Sequence, residues 1–300
     1  MEYFVELFLS GITRGSIYAL IALGYTMVYG IIQLINFAHG EIYMIGAFTG
    51  LIVAGGLSIL GVNPLIILGL ALIISVIYSA AYGYTIEKIA YQPLRNAPRL
   101  SPLISAIGMS IFLQNYVLFA QTSEFLPFPS LIPEWEFWEP YAHIIGTPEL
   151  VIILFTALVM VGLTLLIKFS RIGKAMRATA QDSTMAMLLG ININFVISAT
   201  FVIGSGLAAI GGVLISSHIG QLNYFIGFVA GIKAFTAAVL GGIGSIPGAV
   251  LGAMVLGLTE SFATGYISSD YEDVFAFGLL VLILIFRPAG LLGRMETKKV

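Results

Sequence analysis

Nine apolar runs, separated by short polar or glycine-rich breaks, set the pattern of this chain: near 9–31, 40–56, 64–87, 102–121, 150–168, 194–216, 226–242, 247–266 and 273–287. A helix needs ~20 mostly apolar residues to cross a bilayer, so these runs predict transmembrane helices. The runs at 40–56 and 226–242 are short for a full crossing. Broken or re-entrant helices are expected there, because irregular backbone is tolerated only where protein covers it. The expected fold is all-α and polytopic, with about eight to nine transmembrane or re-entrant helices. Residues 1–300 are expected to form a single transmembrane domain.

Composition supports this reading. The 300 residues are 59% hydrophobic and only 9% charged, whereas a soluble domain carries about 25% charged residues. The chain has no cysteine, which excludes disulfides, thiolate metal sites and thiol nucleophiles together. Glu2 and Glu6 stand where a cleavable signal would be basic, so the first run is expected to serve in targeting as well.

Charge placement predicts orientation. Of the 13 Lys and Arg residues, all but Arg14 and Lys233 fall in three clusters: Lys88, Arg95 and Arg99; Lys168, Arg171, Lys174 and Arg177; Arg287, Arg294, Lys298 and Lys299. If the runs alternate, all three clusters share one side. That side is expected to be cytoplasmic, with the N-terminus outside and the C-terminus inside. The opposite face is acidic. The expected external loop, 122–149, holds Glu124, Glu134, Glu136, Glu139 and Glu149 with Trp135 and Trp138, and Asp270, Glu272 and Asp273 add to the same side.

Three stretches could carry chemistry. The first is 36–43, where Asn36, Phe37, His39, Gly40, Glu41 and Tyr43 are crowded between two apolar runs. With a helix start at Asn36, the residues Asn36, His39, Gly40 and Tyr43 would share one face, and Phe37 and Glu41 another. Such side chains facing lipid would be costly, so they should turn to a bundle interior or a pathway; helix capping at a turn and interhelical contact are the other readings of the same residues.

The second is the pair of stray cations. Lys233 and Glu260 each lie about 10 Å from the outer ends of their runs at 1.5 Å per residue, and they are expected to pair inside the membrane. An outward-reaching Arg14 would suit an interfacial helix over 2–13. Small residues also recur at four-residue spacing, as Gly204, Ala208, Gly212 and Ser216 and as Gly244, Gly248 and Gly252; close helix packing is the expected reason.

The third is the polar interval 169–193. Arg171, Lys174 and Arg177 are expected to continue the fifth helix. Asp182 should then cap a short helix through Leu189 that Gly190 stops. A helix so short has no independent stability in water, so it must be docked on a membrane surface or on another protein. Enzyme chemistry finds no parts here. His39, His143 and His218 are scattered without zinc-ligand spacing, and no GxSxG elbow occurs. Neither metal nor nucleic acid is an expected partner.

The stretches GSIYALIALGYTMVYGIIQLINFAHGEIYMIGAF (15–48), SRIGKAMRATAQDSTMAMLLGIN (170–192) and IKAFTAAVLGGIGSIPGAVLGA (232–253) together resemble the high-affinity branched-chain amino acid ABC transporter permeases, and the smaller permease subunit in particular. The resemblance implies an ABC importer permease fold in the inner membrane, contacting lipid. It implies a second permease subunit, two cytoplasmic ATPases holding ATP and Mg, and an external substrate-binding protein. This chain itself would hold no cofactor and catalyse nothing. The family's coupling segment corresponds here to Gly173, Ala175, Arg177, Ala178, Ala180, Gln181, Asp182, Ala186, Leu189, Gly190 and Ile191, although Thr179-Ala180-Gln181 stands where many importers begin with Glu-Ala-Ala. Urea and short-amide permeases share these patterns, and a self-sufficient channel or secondary carrier is the rival from another class.

Overall fold

The computed structural model describes residues 2–95, 97–98, 100–142 and 144–293. Arg99, His143, Arg294, Lys298 and Lys299, named above, lie outside the described residues. Within them the chain is helical almost throughout: α1 (Glu2–Ile32), α2 (His39–Ile59), α3 (Pro64–Ile86), α4 (Leu100–Ala120), α5 (Thr147–Phe169), α6 (Arg171–Gln181), α7 (Ser183–Leu188), α8 (Ile193–Ile219), α9 (Ile226–Gly241), α10 (Ile246–Tyr266) and α11 (Glu272–Phe286). Among the described residues, seven of these are long and apolar enough to cross a membrane, α3 running on through irregular turns to Leu94. The 40–56 run proves full length within the 21 residues of α2. The short helices are α9, of 16 residues, and α11, of 15, which reach about 24 and 22 Å, less than a ~30 Å core.

Local chemistry sets the ends. Asn63 Oδ1 accepts from Leu65 N (2.9 Å) and Pro64 opens α3, the arrangement expected of an N-cap followed by proline. Ser245 Oγ accepts from Gly248 N (3.2 Å) to start α10. Gly244, counted above in a small-residue ridge, lies in the preceding turn at φ +91°, so only Gly248 and Gly252 belong to the helix. A Cβ on Gly252 would overlap the Ala237 carbonyl oxygen and lie 2.6 Å from Gly241 N. The absence of that atom lets α10 cross α9 backbone to backbone.

α1 is central. In its most apolar window 72% of residues are buried, against 17% for α5, so α1 forms the axis and α5 the rim. α10, α8, α9 and α5 pack around α1, and α2 bridges α8, α3 and α9. Residues 2–13 belong to the same unbroken helix, packed on α10 through Tyr3 Oη to Gly265 O (2.8 Å) and Ser261 Oγ to Leu7 O (2.6 Å); no separate interfacial helix forms there. At the acidic end a two-residue strand, Leu126–Pro127, pairs antiparallel with Gln221–Leu222. This ribbon ties the long outer loop to the end of α8.

Candidate functional site

At the basic end, the chain between α1 and α2 turns sharply, with Gln33 at φ +52°. α2 starts at His39 rather than Asn36, so Asn36 is a loop residue and the shared face expected from helical spacing does not include it. Asn36, His39 and Glu41 are each 1% exposed. Tyr91 Oη donates to Asn36 Oδ1 (3.1 Å) and to Ile35 O (3.2 Å), and Ser110 Oγ donates to Glu41 Oε1 (3.1 Å). The His39 ring packs edge-on to Tyr25 at 4.8 Å, and Phe37 lies 5.9 Å from Phe235. Gly40 meets α9 at Gly227 and Gly231. Among the described residues, Asn36 Nδ2, His39 Nε2 and Glu41 Oε2 have no hydrogen-bond partner, an expensive condition for buried polar atoms.

Above this joint, toward the acidic end, lies a cavity of about 710 Å³ bounded by α1, α5, α8, α9, the start of α11 and the outer loop. Of the six residues expected to line a pathway, Tyr43 reaches it; Asn36, Phe37, His39, Gly40 and Glu41 do not. They form the packed layer beneath it. One cavity wall is ionic. Arg14 Nη1 donates to Glu272 Oε2 (2.9 Å) and Lys233 Nζ to Glu272 Oε1 (2.5 Å), while Lys233 lies 3.3 Å from Glu260 Oε1 and 3.0 Å from Asp273 Oδ1. Tyr18 Oη donates to Glu260 Oε2 (2.7 Å). Arg14 therefore turns inward to a carboxylate instead of reaching outward, because Glu272 offers a charge partner at the same depth.

Lys233 thus lies within ion-pair distance of three carboxylates rather than one. Lys233→Met is expected to reduce the yield of folded protein more than Glu260→Gln, since it leaves three acids together in a site where Lys233 is 7% exposed. The double variant should recover only part of that loss, because Asp273 stays without its cation and Glu272 keeps only Arg14. Thermal unfolding of the four proteins in detergent checks the order, and equal losses from the two single variants would contradict it.

The polar interval 169–193 folds as two helices. α5 stops at Phe169, and Ser170 Oγ accepts from Gly173 N (2.9 Å) to cap a new helix, α6. Arg171, Lys174 and Arg177 therefore do not extend the fifth helix. A Cβ on Gly173 would overlap the Ile167 carbonyl oxygen, so glycine allows α6 to fold back on α5, and Arg177 Nη1 donates to that same carbonyl. Ala175 and Ala178 are half-buried, and Ala180, Gln181 and Asp182 are exposed. Asp182 Oδ1 accepts from Met185 N (2.9 Å) to start α7. At the other end Gly190 N donates to Met187 O and Ile191 N to Ala186 O, both 3.0 Å, with Gly190 at φ +85°, which is a Schellman cap. Ala186 is buried, while Met185, Met187, Leu188 and Leu189 are 55–77% exposed.

One cluster at the basic end has no counterpart in the sequence reading. A π-helical turn, Glu87–Tyr91, extends α3, and Glu87 at its start is 0% exposed. Ser198 Oγ of α8 donates to Glu87 Oε2 (2.7 Å), Lys88 Nζ lies 3.7 Å away, and Arg95 binds both Glu87 and Asn194. The available signal was an acid standing alone among Lys88, Arg95 and Arg99.

A family model described as branched-chain amino acid transport system / permease component matches residues 7–284. The chain is 53% identical to the high-affinity branched-chain amino acid transport system permease protein BraD of Pseudomonas aeruginosa, over 99% of this chain and 98% of that one. It is 49% identical, with the same coverage, to the LivH permease protein of the corresponding Escherichia coli K12 system. A more distant similarity, 24% over 93% of this chain and 68% of the other, relates it to the LivM permease protein of such a system in Salmonella typhimurium.

Proposed function

Since this chain belongs to the branched-chain amino acid transport permease family, we propose that it is the smaller transmembrane subunit of an ATP-driven importer for leucine, isoleucine and valine in the inner membrane. It pairs with a second permease subunit; the similarity to LivM supports a partner of related architecture. Two cytoplasmic ABC ATPases hydrolyse Mg-ATP beneath it, and an external binding protein delivers the amino acid. The basic end faces the cytoplasm. On this reading the cavity at the acidic end is the outward vestibule. The sealed layer around Asn36, His39 and Glu41 is the inner barrier, and its unpartnered polar atoms gain partners when the pathway opens inward.

The observation that carries the reading is α7. Four large apolar side chains stand exposed on one capped helical turn beyond the membrane-spanning helices, a surface that supports docking against a partner. Insertion of this turn into an ATPase cleft would transmit motion to α8, three residues past Gly190.

Purification of the tagged chain from its own membranes should recover ATPase subunits, and the reconstituted complex should hydrolyse ATP faster when leucine and binding protein are supplied. Recovery without ATPase, or hydrolysis indifferent to leucine, would overturn the proposal. Gly190→Val tests the arm itself. A Cβ there meets nothing within 4 Å, so the penalty is left-handed backbone strain alone, about 1–2 kcal/mol or roughly 5–30-fold in the population of the capped form. The subunit should insert normally while leucine-stimulated hydrolysis and uptake fall; wild-type uptake in this variant would count against the cap.

A further inference from the structure

We propose that the 710 Å³ cavity is a binding site for a free zwitterionic amino acid in this subunit itself, with Arg14 holding the α-carboxylate, Glu149 the α-ammonium and an isoleucine wall the branched side chain. The proposal rests on the transport reading above and assigns residues to it.

Size is the first support. The volume lies within the ~300–1,000 Å³ of small-molecule sites. Charge is the second, because the lining offers both signs, with spare capacity on each. Of the two cations, Lys233 is 7% exposed and already faces three carboxylates. Arg14 has a side chain 35% exposed, and only its Nη1 is engaged, by Glu272; a guanidinium has five donors. Of the acids, Glu6 is exposed to solvent near the start of α1, and Glu272 is occupied by Arg14, Lys233 and Thr264. Glu149, in the first turn of α5, has a side chain 29% exposed, and its Oε1 meets His218 Nδ1 only at 3.9 Å. Apart from solvent-exposed Glu6, Arg14 and Glu149 are therefore the described lining charges able to take a ligand's charges without dismantling the wall.

Apolar complementarity is the third support. Ile17, Ile21, Ile215, Ile219, Ile226 and Val229 line the cavity between the charged groups. A free amino acid with a branched apolar side chain presents the matching pattern: two opposite charges at one carbon and a hydrocarbon beyond it. A strongly charged side chain would be placed against isoleucine with no compensating group.

The test measures equilibrium binding of radiolabelled leucine to the assembled transporter purified without its binding protein. Leucinamide, which lacks the carboxylate, and 4-methylpentanoate, which lacks the ammonium, should each compete about tenfold or more worse than leucine, as expected when a charged hydrogen bond is lost. Arg14→Gln should cease to distinguish leucine from leucinamide while still rejecting 4-methylpentanoate, and Glu149→Gln should show the reverse. Ile219→Trp, at an exposed lining position, should narrow the cavity and weaken saturable binding without disturbing the core. If Arg14→Gln fails to assemble because Glu272 is orphaned, the wild-type competition series and Ile219→Trp still decide. Equal competition by the three compounds, or unchanged leucine binding in Ile219→Trp, overturns the site. Leucine uptake by the complete wild-type complex is measured in parallel: intact uptake with no binding in the cavity rejects this site alone, whereas absent uptake rejects the transport reading.

Discussion

Glu87→Ala is expected to destabilise the subunit by about 3–5 kcal/mol, the usual cost of removing one partner from a buried ion pair, and to abolish leucine-stimulated transport in whatever protein remains folded. Glu87 is 0% exposed and receives Ser198, Arg95 and Lys88. Without it, Arg95 keeps Asn194 but loses its charge partner. The position matters as much as the energy. Asn194 and Ser198 lie in the first turns of α8, which begins three residues beyond Gly190, and Tyr91, at the far end of the same π turn, holds Asn36 and Ile35. Contacts therefore run from the α7 arm through α8 and the π turn to the buried layer around Asn36. π-helical turns of this kind are frequent at functional sites. Tyr91→Phe separates the two consequences. It removes hydrogen bonds worth about 0.5–1.5 kcal/mol each and leaves the ring packed on Phe201, so the melting temperature should fall only slightly while uptake falls markedly. Uptake at the wild-type rate in Tyr91→Phe, or an unaltered melting temperature in Glu87→Ala, would reject the corresponding half of this expectation.

The features readable in the sequence are those whose cause is local. The apolar runs forecast every long helix because burial in lipid depends on composition over ~20 residues. The start and stop of α7 follow from Asp182 and Gly190, each acting within three or four residues of itself. The break at Ser170 was missed although its cap is also local, because a basic stretch after an apolar helix reads equally well as its continuation. What separates the cases is the close approach of Gly173 to Ile167, a tertiary fact. Glu272, the partner of Arg14, and Ser198, the α8 partner of Glu87, are 258 and 111 positions away, beyond any spacing rule. The crowding of polar residues at 36–43 was plain. Its meaning shifted because α2 begins three residues later than helical spacing suggested, which moves Asn36 off the helix and makes most of the group the floor of the cavity rather than its wall.

That floor should be intolerant of a single added methyl group at particular glycines and indifferent at others in the same helix. A Cβ on Gly40 would overlap the Gly227 carbonyl oxygen and sit 2.8 Å from Gly231 Cα. Both obstacles are backbone, so relief requires α2 and α9 to move apart. Gly40→Val is therefore expected to cost more than the about 1–3 kcal/mol typical of an overpacked core and to prevent recovery of folded subunit. Gly56→Ala, in the same helix with nothing within 4 Å, should be neutral or stabilise by up to about 1 kcal/mol. Gly24 offers a sharper comparison, because there the first obstacle is a side chain: a Cβ would overlap His39 Nε2 and lie 3.2 Å from Gly204 O. Gly24→Ala should thus be damaging alone and largely rescued by His39→Ala, whereas no side-chain truncation should rescue Gly40→Val. Thermal stability of the five proteins measures this. Failure of His39→Ala to restore Gly24→Ala would mean that α1 and α2 are held apart by something other than the imidazole, and the barrier would then lie in the helix crossing itself.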